Sequence, residues 1–360
     1  MSLPGWPGLR GLTTDDPSSV LDLDESIGQR SSTFTFELVD GVSGILLGYV
    51  TPIREAASIT HDTSRTVKRE LRIDLGVSDT AAINPITDRI MPRMIIGGQT
   101  WDLGRFMFAD ETDLQSTGGT RSTLLLLDEM NLIDQQISEG FTSTTVATAA
   151  VLELLAGLPL VGINLEPSPY PAAVSAQAGT NRGQILEALA TQGDMMTPWM
   201  DNHGLFRMIR TVDPDTATPT LDFDRGNRVI RSTIADTSDL LTAPNRFVVI
   251  SNSGEALAAA VYGVYDVPPT APYSISARGF VIPQVMNLQV ATSAQAAAMA
   301  RNIGIRQSVF QRTQLSTAPD PRHDSYDVIR WQGVNWLELG WSMTLRDGAP
   351  MTHTLRRSFM

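Results

Sequence analysis

Four histidines could do chemistry in this sequence, at positions 61, 203, 323 and 353. Zinc or catalytic histidines sit at short helical spacings or beside a carboxylate partner, and these four are scattered through turns and strands with no such spacing. The stretch Asp222-Phe223-Asp224-Arg225-Gly226 carries the opening of a calcium loop, but the remaining ligand positions and the distal Glu are missing, so it reads as a turn. Asp15-Asp16 and Asp110-Glu111 are carboxylate pairs of the kind glycoside hydrolysis uses; among 39 acidic residues such pairs are expected by chance. Trp331, Trp336 and Trp341 could form a sugar platform, although only Trp341 falls on a clearly apolar strand face, which favours core or interface packing. No Gly-x-x-x-x-Gly-Lys phosphate loop, Gly-x-Ser-x-Gly elbow or His-Glu-x-x-His is present. No catalytic, cofactor-binding or metal-binding residue is assigned, and no cofactor; the expectation is that the chain is not an enzyme.

The bulk numbers set the frame. The 360 residues suggest two or three domains, and a 42% hydrophobic content suffices for real cores. The net charge of −12 disfavours free nucleic acid as a surface partner. Cysteine is absent, so neither a disulfide framework nor a zinc-thiolate site exists. Lys68 is the single lysine among the 27 basic residues; arginine codons are GC-rich, so genome composition is the plain reading, with forked interface contacts the other. No signal-like N-terminus and no membrane-length apolar run are visible, which implies no stable membrane insertion.

The elements that must position any site follow from periodicity. Residues 1–30, rich in Gly, Pro, Ser and Asp, read as an extended arm, either loose or docked on a neighbouring subunit through Trp6, Leu9 and Leu12. From 31 to 127 short strands alternate with turns: 33–38 and 45–51 around Asp40-Gly41, 66–75, then 88–96 and 101–109 about Gly97-Gly98, and 121–127 after the Ser116–Gly119 break. Between 128 and 212 the period changes to that of an α/β unit. A helix is predicted over 143–155 with a Ser/Thr cap, a strand over 160–165, and a second helix over 180–192, capped by Thr180 or Asn181 and closed by Gly193. A hairpin about Asp201-Asn202-His203-Gly204 follows. A linker covers 213–219. The last region, 246–360, shows strands at 246–251 and 278–282, a helix over 293–311 opened by Ser293, and terminal strands over 326–331, 336–345 and 351–356. In 336–345 the alternation places Leu337, Leu339, Trp341, Met343 and Leu345 on one face and Glu338, Gly340, Ser342 and Thr344 on the other, with Trp336 the exception.

Two parts of the sequence together resemble a known family. One is Gly179-Thr180-Asn181-Arg182-Gly183-Gln184-Ile185-Leu186-Glu187-Ala188-Leu189, followed by the Trp199–Arg207 hairpin. The other is the 297–301 helix, then Pro319-Asp320-Pro321-Arg322-His323-Asp324, Asp327-Val328-Ile329 and the last strands. In that order they resemble the minor tail proteins that form the baseplate or tail-tip hub of tailed bacteriophages, over about residues 31–357. The resemblance implies an α+β, mainly β fold: two β-barrel-type hub domains (31–127, with part of 213–245 available to complete it, and 246–360) and an inserted α/β domain (128–212), behind the 1–30 arm. It implies a homotrimer that continues the tail tube, adapts its six-fold symmetry to three-fold and lines the channel for transient DNA passage during ejection. Its partners would be a tail-tube or distal tail protein, the tape-measure protein and other minor tail proteins. It would belong to the virion, at the tail tip, after assembly in the host cytoplasm. Some members carry a lytic domain after the hub; the sequence ends at Met360 without room for one. An acidic wall would not hold phosphates, which suits a DNA duct. The alternatives are a receptor- or carbohydrate-binding tail protein using the α/β unit and, behind it, a cell-wall hydrolase.

Overall fold

The computed structural model describes residues 31–53, 57–80, 83–116, 119–224, 229–235, 243–251, 261–307 and 311–357. The expected arm over 1–30, with the Asp15-Asp16 pair, lies outside them. So do Thr117-Gly118 of the break before 121 and Arg225-Gly226 of the Asp222 turn.

The first region contains β1 (Ser32–Asp40), β2 (Leu46–Tyr49), β3 (Ser58–Asp62), β4 (Arg69–Gly76), the single turn α1 (Val77–Thr80), β5 (Asp88–Ile96), β6 (Gln99–Asp102), β7 (Phe106–Ser116) and β8 (Gly119–Asp128). The middle region contains α2 (Met130–Ile133), β9 (Phe141–Ser143), α3 (Ala147–Leu155), β10 (Ile163–Leu165), β11 (Val174–Ala176), α4 (Arg182–Gln192), β12 (Trp199–Met200) and β13 (Phe206–Met208). The last region contains β14 (Leu221–Asp222), β15 (Val229–Ala235), β16 (Arg246–Ser251), β17 (Val261–Asp266), α5 (Ile275–Arg278), β18 (Pro283–Asn287) and α6 (Ser293–Gln307). It closes with β19 (Gln311–Thr317), β20 (Val328–Trp331), β21 (Val334–Thr344) and β22 (Met351–Arg357).

Strand pairing joins the two ends of the chain. One 14-stranded sheet runs β15-β19-β22-β21-β3-β4-β8-β7-β5-β1-β2, with β20 and β14 off β21 and β6 off β5. Its seam is the antiparallel β21–β3 pair, where Gly340 faces Asp62 and Thr344 faces Ser58. The fold is mainly β, as expected. No barrel closes among the described residues; the two β regions, expected as two barrel-type units, share one open sheet. Within 213–245, part of which was available to complete the first region, the described strands β14 and β15 pair with β20 and β19 of the last.

Local sequence explains most of these elements. Gly97 and Gly98 both have positive φ, 59° and 81°, the backbone a two-residue hairpin turn requires between β5 and β6. In β4 the side chains of Leu71, Ile73 and Leu75 alternate into the core. Helix α4 starts where Asn181 accepts a hydrogen bond from the Gly183 N–H at 2.7 Å and ends at Gly193. Its Ile185, Leu186 and Leu189 pack on Ala150, Val151 and Leu155 of α3 and on Phe206 and Met208.

Several expectations change. Helix α3 begins at Ala147 without a side-chain cap. Residues 278–282 are not a strand: Ser274 caps the short helix α5, and β18 starts only at Pro283. Helix α6 is described over Ser293–Gln307, its N-terminus is capped by Thr292 rather than Ser293, and 311–317 is a strand. In β21 the register shifts between Glu338 and Gly340. That bulge puts an extra residue in the strand. It reverses the facing upstream, so Trp336 and Glu338 are both buried and Leu339 is not.

Gly340 lies at the seam. A Cβ there would fall 2.5 Å from the His61 carbonyl oxygen on β3. Gly340→Ala is expected to destabilise the chain by about 1–3 kcal/mol, because the seam must part to admit the methyl group. Urea unfolding against wild type checks this; equal midpoints would mean that the strands are not held so closely.

Candidate functional site

The two stretches that carry the family resemblance lie more than a hundred residues apart and meet in space. Their meeting point is Arg69, the first residue of β4, whose side chain is 1% exposed. Its Nη2 donates to Asp324 Oδ1 at 2.6 Å and its Nη1 to Asn202 Oδ1 at 2.5 Å. Asn202 Nδ2 in turn donates to the carbonyls of Pro321 and His323, both at 3.1 Å. Trp199 Nε1 donates to the same Asp324 oxygen at 2.9 Å. The Arg69 guanidinium also lies 5.6 Å from the Trp341 ring centroid, and His61 stacks on that indole at 5.4 Å and 16°. The other side of the His61 ring system reaches the loop too, with Nε2 and Ser325 Oγ 2.7 Å apart. Burial, with Arg69 beside it, holds the His61 pKa well below its ordinary value, so the ring is neutral. Burial likewise pushes Asp324 upward while Arg69 pulls against it. Arg69, Asn202, Trp199, Asp324 and His61 each hydrogen-bond another part of the chain. The junction therefore ties β4, the β12–β13 hairpin and the 319–327 loop into one body.

A second buried cluster stands behind that loop. Glu338 accepts from His323 Nδ1 at 2.8 Å and from His353 Nδ1 at 2.7 Å, and all three side chains are at most 1% exposed. Phe223 meets both imidazoles edge-on, and His353 Nε2 bonds Thr317 Oγ1 at 2.8 Å. Burial opposes charge on His323, but the Glu338 carboxylate, with Asp320 and Asp327 beyond it, outweighs burial and lifts its pKa to about 9. Burial opposes charge on Glu338 too, and the two histidines override it, lowering its pKa to about 2. Burial and the His323 charge lower His353. Burial and the Glu338 charge push Asp327 up to about 7.

The trio offers a metal-like donor set, two imidazoles and a carboxylate, with ligand atoms all within 4.8 Å. A metal at about 2.0–2.2 Å from each donor would spread neighbouring donors to roughly 3.3–3.6 Å. The Nδ1–oxygen separations of 2.7 and 2.8 Å are instead hydrogen-bond lengths. The residues fit a charge-paired core cluster better than a metal centre.

The other candidates resolve individually. His203 is exposed and pairs with Asp102 at 2.9 Å. Asp224 accepts from the backbone N–H of Gln332 and Gly333, so the Asp222 stretch closes the β20–β21 turn. Trp331, Trp336 and Trp341 are all buried and present no open face to a sugar. Asp110 lies in β7. The sequence reading missed the 323–338–353 convergence because the signal is a bulge, which no alternation count registers.

No family model and no curated protein matches the sequence. Solved structures do match in fold. A tail protein from Neisseria meningitidis MC58 aligns with a TM-score of 0.62 at 14% identity, covering 90% of this chain and 97% of that one. The 43 kDa tail protein of prophage MuSo2 from Shewanella oneidensis aligns at 0.58 and 14% identity, over 91% and 98%. The fold is that of phage tail proteins. A third, prophage tail protein gp18 from Listeria monocytogenes EGD-e, aligns at 0.56 with 8% identity over 90% and 95%. The tail-protein fold thus runs through nearly the whole chain, with the Arg69 junction and the Glu338 cluster at its centre.

Proposed function

We propose that this chain is a structural virion protein, a homotrimeric hub at the tip or baseplate of a phage-type tail. In this reading it continues the tail tube, adapts six-fold to three-fold symmetry and lines the channel through which DNA leaves. It is not an enzyme. Its neighbours are a tail-tube or distal tail protein, the tape-measure protein and other minor tail proteins. The observation that carries the reading is end-to-end likeness to tail proteins, 90% of this chain against 97% of the Neisseria protein.

The surface supports it. A closed ring built head to tail needs two different patches on each chain. The edge strand β2 and its turn expose Val42, Ile45, Leu46, Leu47 and Tyr49, several of them more than half open. Far along the chain, the β17-β16-β18 sheet carries α6 on one face and exposes Tyr262, Val264 and Val285 away from it. Contiguous exposed apolar surface of this kind marks an interaction site, and an unpaired edge strand is a template for pairing. The ring joins the first patch of one copy to the second patch of the next.

Receptor or carbohydrate binding and cell-wall hydrolysis gain no comparable support, since the three tryptophans are buried. Gold-labelled antibody against the chain tests the location. Label at one end of intact tails is the expected result; label along the tube, or none on particles, contradicts it.

A further inference from the structure

The single lysine stands in the wall of a cleft of about 300 Å³ where all three regions meet. The turn before β4 forms one side, α4 contributes Glu187, and the end of α6, β19 and β22 contribute Arg306, Arg312 and Arg356. Tyr326 lines it too, its hydroxyl hydrogen-bonded to Thr197 Oγ1.

The charges in this cleft do not cancel. Lys68 is buried, and its Nζ donates to the carbonyls of Thr63 and Arg65 and to Thr197 Oγ1, at 3.2, 3.1 and 3.0 Å. None of those acceptors carries charge. Arg356 is also buried and donates through Nη1 to the carbonyls of Ile305 and Arg306, at 3.0 and 2.6 Å, closing the C-terminal end of α6. That explains one donor of Arg356 and leaves its charge uncompensated. Arg306 is half-buried and Arg312 exposed, and neither forms an ion pair or side-chain hydrogen bond among the described residues. Glu187 is the one carboxylate in the lining.

Of the five cations in the lining, Arg65 pairs with Asp62 and Glu70, and the other four, Lys68, Arg306, Arg312 and Arg356, gather around one lining carboxylate, which is costly. Burial and mutual repulsion push the cations toward losing their protons. Burial, then Arg306 and Arg312, bring Arg356 down to about 10, and burial, against the pull of the Asp128 carboxylate and with Arg306 adding to it, brings Lys68 down to about 8. An anion in the cleft would remove that cost.

We propose that this cleft binds a compact, multiply charged anion of the phosphoryl class, with Arg306 and Arg312 donating to its oxygens and Lys68 and Arg356 supplying the field. Guanidinium forks match phosphoryl oxygens with paired, charge-assisted hydrogen bonds. The volume exceeds what one orthophosphate fills and suits a pyrophosphate, free or carried on a nucleoside. Because its walls come from the turn before β4 and from α4, α6, β19 and β22, the bound anion also clamps the three regions together. The site is independent of the hub reading and stands or falls without it.

Calorimetric titration of the full chain with sodium pyrophosphate, and separately with a nucleoside diphosphate, tests this against sodium chloride at matched ionic strength. The expected result is saturable binding of pyrophosphate that chloride does not reproduce. Tighter binding of the nucleoside diphosphate would show that the phosphoryl group arrives on a nucleoside. The double variant Arg306→Gln/Arg312→Gln should weaken binding at least tenfold while keeping the wild-type circular dichroism spectrum. Arg346→Gln, an exposed arginine outside the cleft, should bind as wild type does. Absence of binding at millimolar pyrophosphate, unchanged affinity in the double variant, or equal weakening in Arg346→Gln would each overturn the proposal.

Discussion

Glu338→Gln is expected to destabilise the folded chain by about 3–5 kcal/mol, the usual cost of removing one partner from a buried ion pair. The amide keeps the shape and one acceptor, but it leaves the His323 imidazolium buried without its counter-charge. The pH dependence identifies the cause. His323 has a folded pKa of about 9, above its ordinary 6.5. Its contribution is therefore complete below 6.5 and lost as pH rises through 9. Glu338 has a folded pKa of about 2, below its ordinary 4.5, so its contribution is complete above 4.5 and lost as pH falls through 2. The pair works fully between those ordinary values, near pH 5–6. Wild type should lose stability relative to Glu338→Gln as pH rises from 6.5 to 9. Comparison with the variant cancels groups that Glu338 does not shift, such as Lys68, lowered to about 8; Asp327, which the Glu338 charge helps raise to about 7, changes with the substitution and adds to the wild-type loss below pH 7. Urea unfolding of both proteins across that range gives the difference; a constant gap would show that the pair does not titrate as described.

The second large effect concerns assembly. Leu46→Glu with Tyr49→Glu spoils the β2 patch, and Val264→Glu with Val285→Glu spoils the sheet patch; all four side chains are exposed, so each variant should fold. Burying a large apolar side chain contributes about 1.5–3 kcal/mol, and two charged replacements should weaken one contact by roughly a thousandfold, or about 4 kcal/mol. Neither variant alone should close a ring. Mixed, they should form a one-to-one dimer through the remaining intact pair of patches and stop there, because a head-to-tail contact needs one patch from each partner. Light scattering on the mixture reads this directly. Dimers formed by either double variant on its own would indicate a twofold contact instead.

Much of the fold was legible where one rule governed the backbone. The Gly97-Gly98 hairpin, the β4 alternation and the Asn181–Gly193 limits of α4 follow from local chemistry alone. The strand β3 was not legible, because Ser58-Ile59-Thr60-His61-Asp62 fills an inward position with a histidine that only the Trp341 indole and Ser325 make comfortable. Strand β19 hid for a related reason: Thr313 and Thr317 are buried beside Leu315, so its inner face reads as polar. The Glu338 cluster needed the bulge, and the Arg69 junction needed the approach of residues more than a hundred positions apart. The shared sheet depends on the β21–β3 seam, which joins positions near 60 and 340 and leaves no trace in either segment.

In the proposed hub, two dissimilar apolar patches on one shared-sheet unit close a ring of three. The most direct test is the mass of the purified full chain across a concentration series, with electron-microscope images of the largest species. The expected result is a species of three times the 39.1 kDa chain, seen end-on as a ring with a central hole. A chain that stays monomeric throughout, or a twofold dimer without a hole, would contradict it.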